Sequence, residues 1–145
     1  MASAYHTQRR VEFHHTDMAG IMHFSRFFLM MEEVEHEFLR SRGLSVHMPY
    51  RGKKLGFPRV SAGCDFKSPA YFEEVLDITL QVERIGRRSI TYAIEFSRAG
   101  EAIASGKLSA CCCEHVAPDK IVPIDVPDDL RLKLLAEPTL SRTEI

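Results

Sequence analysis

The stretch HTDMAGIMHFSRFFLMMEEVEHEFLRSRG, residues 15–43, decides the architecture. Phe24, Phe27, Phe28, Met31, Val34, Phe38 and Leu39 recur at helical spacing, while Glu32, Glu33, Glu35, His36 and Arg40 fall mostly between them. With Ser25 as the expected N-cap and Gly43 as the stop, the pattern predicts one helix of about 18 residues. Ahead of it, His15-Thr16-Asp17-Met18-Ala19-Gly20 carries turn chemistry, and Gly20 permits backbone angles that other residues avoid. Further upstream, residues 5–15 alternate, with Val11 and Phe13 on the face of Tyr5. That pattern predicts a strand ending near His14 and His15.

Downstream, Pro49, Gly52, Lys53, Lys54 and Gly56 make residues 45–56 read as a loop. Four strand-like segments follow. Pro58, Val60, Ala62, Cys64 and Phe66 alternate with polar or small residues, as do Leu76, Ile78, Leu80 and Val82, and then Ile90, Tyr92, Ile94 and Phe96. The fourth segment runs from about Glu101 to Glu114, with Gly106 marking a bulge or a close approach. Gly86-Arg87-Arg88 and Ala99-Gly100 are short enough to be hairpin connections. Pro118, Pro123 and Pro127 break up the tail before a short helix near Asp128–Leu135. One strand, one long helix and four strands joined by tight turns predict an α+β fold with an antiparallel sheet. A phenylalanine-rich helix needs a large apolar partner, so the expectation is a curved five-stranded sheet wrapped around it. The sheet's open edges invite closure by a second subunit.

At 145 residues the chain is expected to be a single domain spanning 1–145, and 45% hydrophobic residues supply a core. Its formal net charge of −1 argues against nucleic acid as a partner, which calls for a basic stripe. No apolar run reaches the ~18–20 residues that would span a bilayer. The N-terminal residues lack a basic region followed by an apolar stretch, so a soluble cytoplasmic protein is expected. Cys111, Cys112 and Cys113 are consecutive and Cys64 stands alone. Strand neighbours point to opposite faces, so this triplet suits buried packing and not a metal site. Neither a metal nor another cofactor is expected.

Asp17 is the residue that points to chemistry. It sits in a short turn a few positions before a helix N-terminus, where backbone N–H groups are unsatisfied donors. A carboxylate there can activate water or attack a carbonyl while the donors hold the developing oxyanion. It can equally brace the turn or cap the helix.

The run His15-Thr16-Asp17-Met18-Ala19-Gly20-Ile21-Met22, with Phe27-Phe28 and Glu32-Glu33, resembles the hotdog-fold acyl-CoA thioesterases of the 4-hydroxybenzoyl-CoA thioesterase family. Asp65-Phe66-Lys67-Ser68-Pro69-Ala70, Gly86-Arg87-Arg88-Ser89 and the strand Ala102–Cys112 are similar to further segments of that family. The likeness covers residues 8–125, roughly. It implies hydrolysis of an acyl- or aroyl-CoA to free acid and CoA, with Asp17 as nucleophile or general base and the backbone N–H of Phe24 as oxyanion donor. It implies a homodimer or a dimer-of-dimers tetramer, with the active site at the subunit interface. The facing subunit would supply the segment Phe57–Ala62. Met22, Phe57, Arg59, Val60 and Ser61 are then the expected substrate-binding residues. Lys67, Arg87, Arg88 and Ser89 are those expected to meet coenzyme A, since arginine matches phosphate geometry.

Two departures qualify the likeness. Members often read Asp-Thr-Asp, and here His15 stands in the first place. One branch carries a histidine seven residues after the catalytic aspartate, where this chain has Phe24, with His23 one place earlier. One helical step turns a side chain by about 100°, so His23 does not inherit that role directly. It remains a candidate for binding the thioester, orienting water or lining the acyl pocket. Glu32 and Glu33 are expected on a solvated or interface face. The competing class is a non-catalytic module that binds acyl-CoA or an acyl carrier protein, because fold alone does not imply activity.

Overall fold

The computed structural model describes residues 4–136, so the outer ends of the expected 1–145 domain lie outside the described residues. The long helix, α1, runs Phe24–Ser41. It ends in a Schellman arrangement: Leu44 N–H donates to Leu39 C=O at 2.8 Å and Gly43 N–H to Arg40 C=O at 3.0 Å. This closure needs a left-handed residue, and Gly43 supplies it with φ +74°. The N-cap is His23 instead of Ser25, its ring Nδ1 accepting from Ser25 N–H.

The five-stranded antiparallel sheet contains β1 (Ala4–Arg10), β4 (Arg59–Phe66), β5 (Val75–Ile85), β6 (Ser89–Arg98) and β7 (Glu101–Cys111), in the spatial order β1-β5-β6-β7-β4. Leu76, Ile78, Leu80 and Val82 of β5 and Ile90, Tyr92, Ile94 and Phe96 of β6 are buried, as their alternation predicts. They share one core with Phe27, Met30, Met31, Val34, Phe38 and Leu39 of α1. The long helix therefore lays its apolar stripe on one face of the sheet. Gly106 marks a close approach and no bulge: it pairs in register with Ile94 and Cys64, and a Cβ there would lie 2.2 Å from Met31 Sδ.

Three expectations are corrected. The first strand stops at Arg10; Val11 is buried, but Phe13 is 75% exposed in a 3₁₀ turn, Phe13–His15. The His15 ring closes that turn by accepting Glu12 N–H at 2.8 Å, which takes these residues out of the ladder. Residues 45–56 are not a loop. They form a hairpin, β2 (His47–Tyr50) and β3 (Lys53–Gly56), turned by Arg51 and Gly52 at φ 50° and 81°. The fourth predicted strand breaks at Cys112, and its end becomes β8 (Cys113–Ala117), paired with β9 (Lys120–Pro123). These four short strands make a second antiparallel sheet, β2-β3-β8-β9, so the sheet content exceeds the five strands expected. The final helix, α2, runs Asp128–Leu135 as its position predicts. Among the described residues, no helix is long and apolar enough to cross a membrane.

Candidate active site

The turn before α1 is built by backbone bonds around Asp17. Its N–H donates to Ile21 C=O at 2.9 Å, its C=O accepts Gly20 N–H at 2.9 Å, and its Oδ1 accepts Ala19 N–H at 2.9 Å. Gly20, at φ +82°, closes the turn. The chain is then pinned on both sides: Met22 N–H donates to Ala70 C=O at 2.8 Å and His23 N–H to His15 C=O at 2.9 Å. The carboxylate is half-buried, with one oxygen held by the turn.

At the helix start two of the first N–H groups are occupied. Ser25 N–H donates to His23 Nδ1 at 3.3 Å, and Arg26 N–H to His23 C=O at 2.9 Å. The Phe24 N–H has no acceptor among the described residues. It is a backbone donor at the positive end of an 18-residue helix. Asp17 and Phe24 both line a cavity of about 520 Å³, together with Ile21, Met22, Phe27 and the segment Phe66–Ala70. Its wall is largely apolar and includes three phenylalanines, with Phe66 edge-on to Phe27 at 5.3 Å and to Phe24 at 6.4 Å. A mostly apolar cavity of this volume, with one carboxylate, one free backbone donor, Lys67 and Ser68 at its wall, suits a small ligand with an apolar body and a few polar points. A second cleft, bounded by His47, Lys53, Lys54, Glu114 and His115, is more polar and contains none of the candidate site residues.

The cavity thus brings together Asp17, Met22, Phe24 and Lys67. His23 stands beside it as the helix cap, its Nδ1 also 2.8 Å from Ser25 Oγ. The other expected residues lie elsewhere in this chain. Phe57 is buried in the core, and Val60 and Ser61 are exposed on β4 at the sheet edge. Arg59 turns inward, donating to Phe57 C=O at 2.8 Å and pairing with Glu35. Arg87 and Arg88 both pair with Asp125, at 3.4 Å and 3.0 Å, and Ser89 opens β6 behind them. The His15 ring is committed to its own turn; burial first, then the charges of His14 and Arg26, hold it below the ordinary imidazole range. Glu32 and Glu33 are exposed, Glu33 pairing with Arg9 at 3.3 Å.

Residue-by-residue reading missed the cavity wall formed by Phe66, Ser68, Pro69 and Ala70. That wall is joined to the Asp17 turn by Met22 N–H donating to Ala70 C=O and by the bridge of Ile21 to Tyr71, pairings across about 50 positions that no local pattern announces. It also placed Glu35 on the polar face, whereas Glu35 is fully buried. Burial pushes its carboxyl up to about 7, against the opposing pull of the Arg59 guanidinium and with help from the Glu32 charge. Burial likewise pushes the Cys64, Cys112 and Cys113 thiols up to about 11, so none is a ready nucleophile.

Comparison with known proteins adds to this geometry. Residues 19–105 match the model of the thioesterase superfamily. A candidate esterase of Aquifex aeolicus is 32% identical over 117 residues, covering 81% of this chain and 88% of that protein. A 1,4-dihydroxy-2-naphthoyl-CoA hydrolase of Prochlorococcus marinus (strain MIT 9313) is 32% identical over 108 residues, covering 70% of this chain and 71% of its own length. The solved structure of a gentisyl-coenzyme A thioesterase is 28% identical with a TM-score of 0.72, covering 91% of this chain and 99% of that one.

Proposed function

Since the chain belongs to the thioesterase superfamily and is a thioester hydrolase with the hotdog fold, we propose that it cleaves an acyl- or aroyl-CoA at the Asp17–Phe24 cavity. The observation that carries this reading is the pairing of a carboxylate with an unoccupied backbone N–H on one apolar cavity. As general base, Asp17 takes a proton from water while the resulting hydroxide adds to the thioester carbonyl. The oxyanion accepts from Phe24 N–H. Collapse then breaks the C–S bond, and the thiolate recovers the proton from Asp17. As nucleophile, the same carboxylate adds to the carbonyl and expels the CoA thiolate, leaving a mixed anhydride; water then opens the anhydride to the free acid and restores Asp17, and the proton released goes to the thiolate. Either route needs the donor aimed at the oxyanion and water kept from the acyl group.

In this reading His23 holds the first turn rigid, so that the Phe24 N–H stays on target. Met22 and the phenylalanines contact the acyl group. Residues 57–62 come from the facing subunit of a homodimer, which a further pairing extends to a tetramer. Support for this comes from β4: it ends the sheet with an unpaired edge, and Val60 is 64% exposed there. Lys67, Arg87, Arg88 and Ser89 serve the CoA phosphates, the two arginines exchanging Asp125 for phosphate. The chain acts as one domain in the cytoplasm, without metal or cofactor.

The decisive experiment is Asp17→Asn assayed on a panel of aliphatic and aromatic acyl-CoAs. Loss of general-base or nucleophilic action lowers kcat by about 10²–10⁴-fold. Retained turnover refutes the mechanism. Tight acyl-CoA binding by the unaltered protein, without thiol release on any substrate, makes it a binding module instead.

A further inference from the structure

We propose that Glu35 and Arg59 form a positioning couple, which ties the first residue of the edge strand β4 to the middle of α1 and so aims the Phe57–Ser61 segment at the acyl pocket. This rests on the composite-site reading above. Among the described residues Glu35 is the one buried charged side chain, and its Oε1 pairs with Arg59 Nη2. The same guanidinium donates through Nη1 to Phe57 C=O at 2.8 Å, and its Nη2 lies 3.2 Å from His36 Nε2. One planar fork thus connects the helix to the backbone two residues before it.

The segment gains from such a tie because the ladder is interrupted within it. The register of β4 on β7 shifts between Arg59 and Ser61, with Arg59 opposite Ala110 and Ser61 opposite Ser109. Val60 is the residue left over, and it points outward. Past this irregularity, Phe57–Arg59 is held by two backbone bonds, Phe57 N–H donating to Val46 C=O at 3.0 Å and Cys111 N–H to Pro58 C=O at 2.9 Å, and the arginine fork is the side-chain tie that joins it to α1. Stability alone does not account for the pair. Glu35 Oε2 is buried with no hydrogen-bond partner among the described residues, and an apolar pair of similar volume would fill the space at least as well. What an apolar pair lacks is direction. Arg59 in this view contacts no substrate; it acts through the segment that carries Phe57, Val60 and Ser61.

The test separates position from stability. Glu35→Met combined with Arg59→Met is compared with wild type in thermal unfolding and in steady-state hydrolysis of benzoyl-CoA and hexanoyl-CoA. The Tm should stay within about 4 °C of wild type or rise. The KM should rise about tenfold or more with kcat little changed, because a displaced pocket wall weakens ground state and transition state together. A wild-type KM overturns the proposal. Mixing this variant with Asp17→Asn subunits should restore activity at wild-type KM, since one hybrid site regains both intact halves. A raised KM that mixing leaves unchanged keeps the positioning role and overturns the composite site. Where the double variant does not fold, Arg59→Lys serves: it keeps the charge but lacks the rigid planar fork that spans Glu35 and Phe57 C=O, so its KM should rise as well. An unchanged KM in that variant also overturns the proposal.

Discussion

Replacing Glu35 by glutamine should change how stability depends on pH, and the structure sets both sign and size. Glu35 has no exposed surface, and burial raises its carboxyl from the ordinary 4.5 to about 7. The groups acting on it are Arg59 on β4, Glu32 on α1 and Tyr92 on β6, with His36 against the Arg59 guanidinium. Between these two values the folded protein holds a proton that the unfolded chain has lost. Its stability contribution is therefore complete below 4.5 and is lost as pH rises through about 7. At ~1.36 kcal/mol per pH unit, the loss comes to about 3 kcal/mol. Glutamine does not titrate, so that slope disappears. Urea unfolding of wild type and Glu35→Gln from about pH 5 to about pH 8 measures it as a difference between the two curves. His15 and His36, held below the ordinary range chiefly by burial, act oppositely: they contribute stability at higher pH that is lost on acidification. Both proteins contain them, so the difference removes their share. The variant should gain on wild type by about 2–3 kcal/mol across the interval, the remainder having been lost below pH 5. Parallel curves would refute the assignment of a buried, proton-holding carboxyl.

The remaining predictions concern the helix start and the core. Phe24→Pro removes the proposed oxyanion donor at a position where helices accept proline, after a residue already extended at φ −67° and ψ 140°. It should lower kcat by about 10²–10³-fold, well beyond Phe24→Ala, which loses the ring but keeps the N–H; equal kcat values in the two variants would remove the donor from the mechanism. Gly106→Ala drives a methyl against the fully buried Met31 and should cost about 1–3 kcal/mol of stability, read from its urea midpoint. An unshifted midpoint would mean that the helix does not press on the sheet there.

Much of this was written locally. The spacing of Phe27, Met31, Val34 and Phe38 specifies α1 because a 3.6-residue period places them on one stripe whatever lies opposite. The alternation in β5 and β6 works the same way with a period of two. Asp17 in its turn was legible because turn residues and a helix start are near neighbours in sequence. Glu35 was half legible. It falls at the i+4 position from Met31 and one turn before Leu39, inside the apolar stripe, although its residue type assigns it to the surface. Only the arrival of Arg59 from 24 residues away gives it a partner there.

Tertiary structure alone decided the rest. The second sheet depends on Leu55 and Gly56 meeting Glu114 and Cys113, and strands of four or five residues carry too few alternations to announce themselves. The cavity needs Phe66–Ala70 folded against the Asp17 turn, so its walls are set by chain crossings that no period records. Local patterns mark which faces are apolar and where the candidate carboxylate stands. Only three-dimensional packing decided what that carboxylate faces, because contacts between distant segments follow from how the faces are buried together and not from any one segment's pattern.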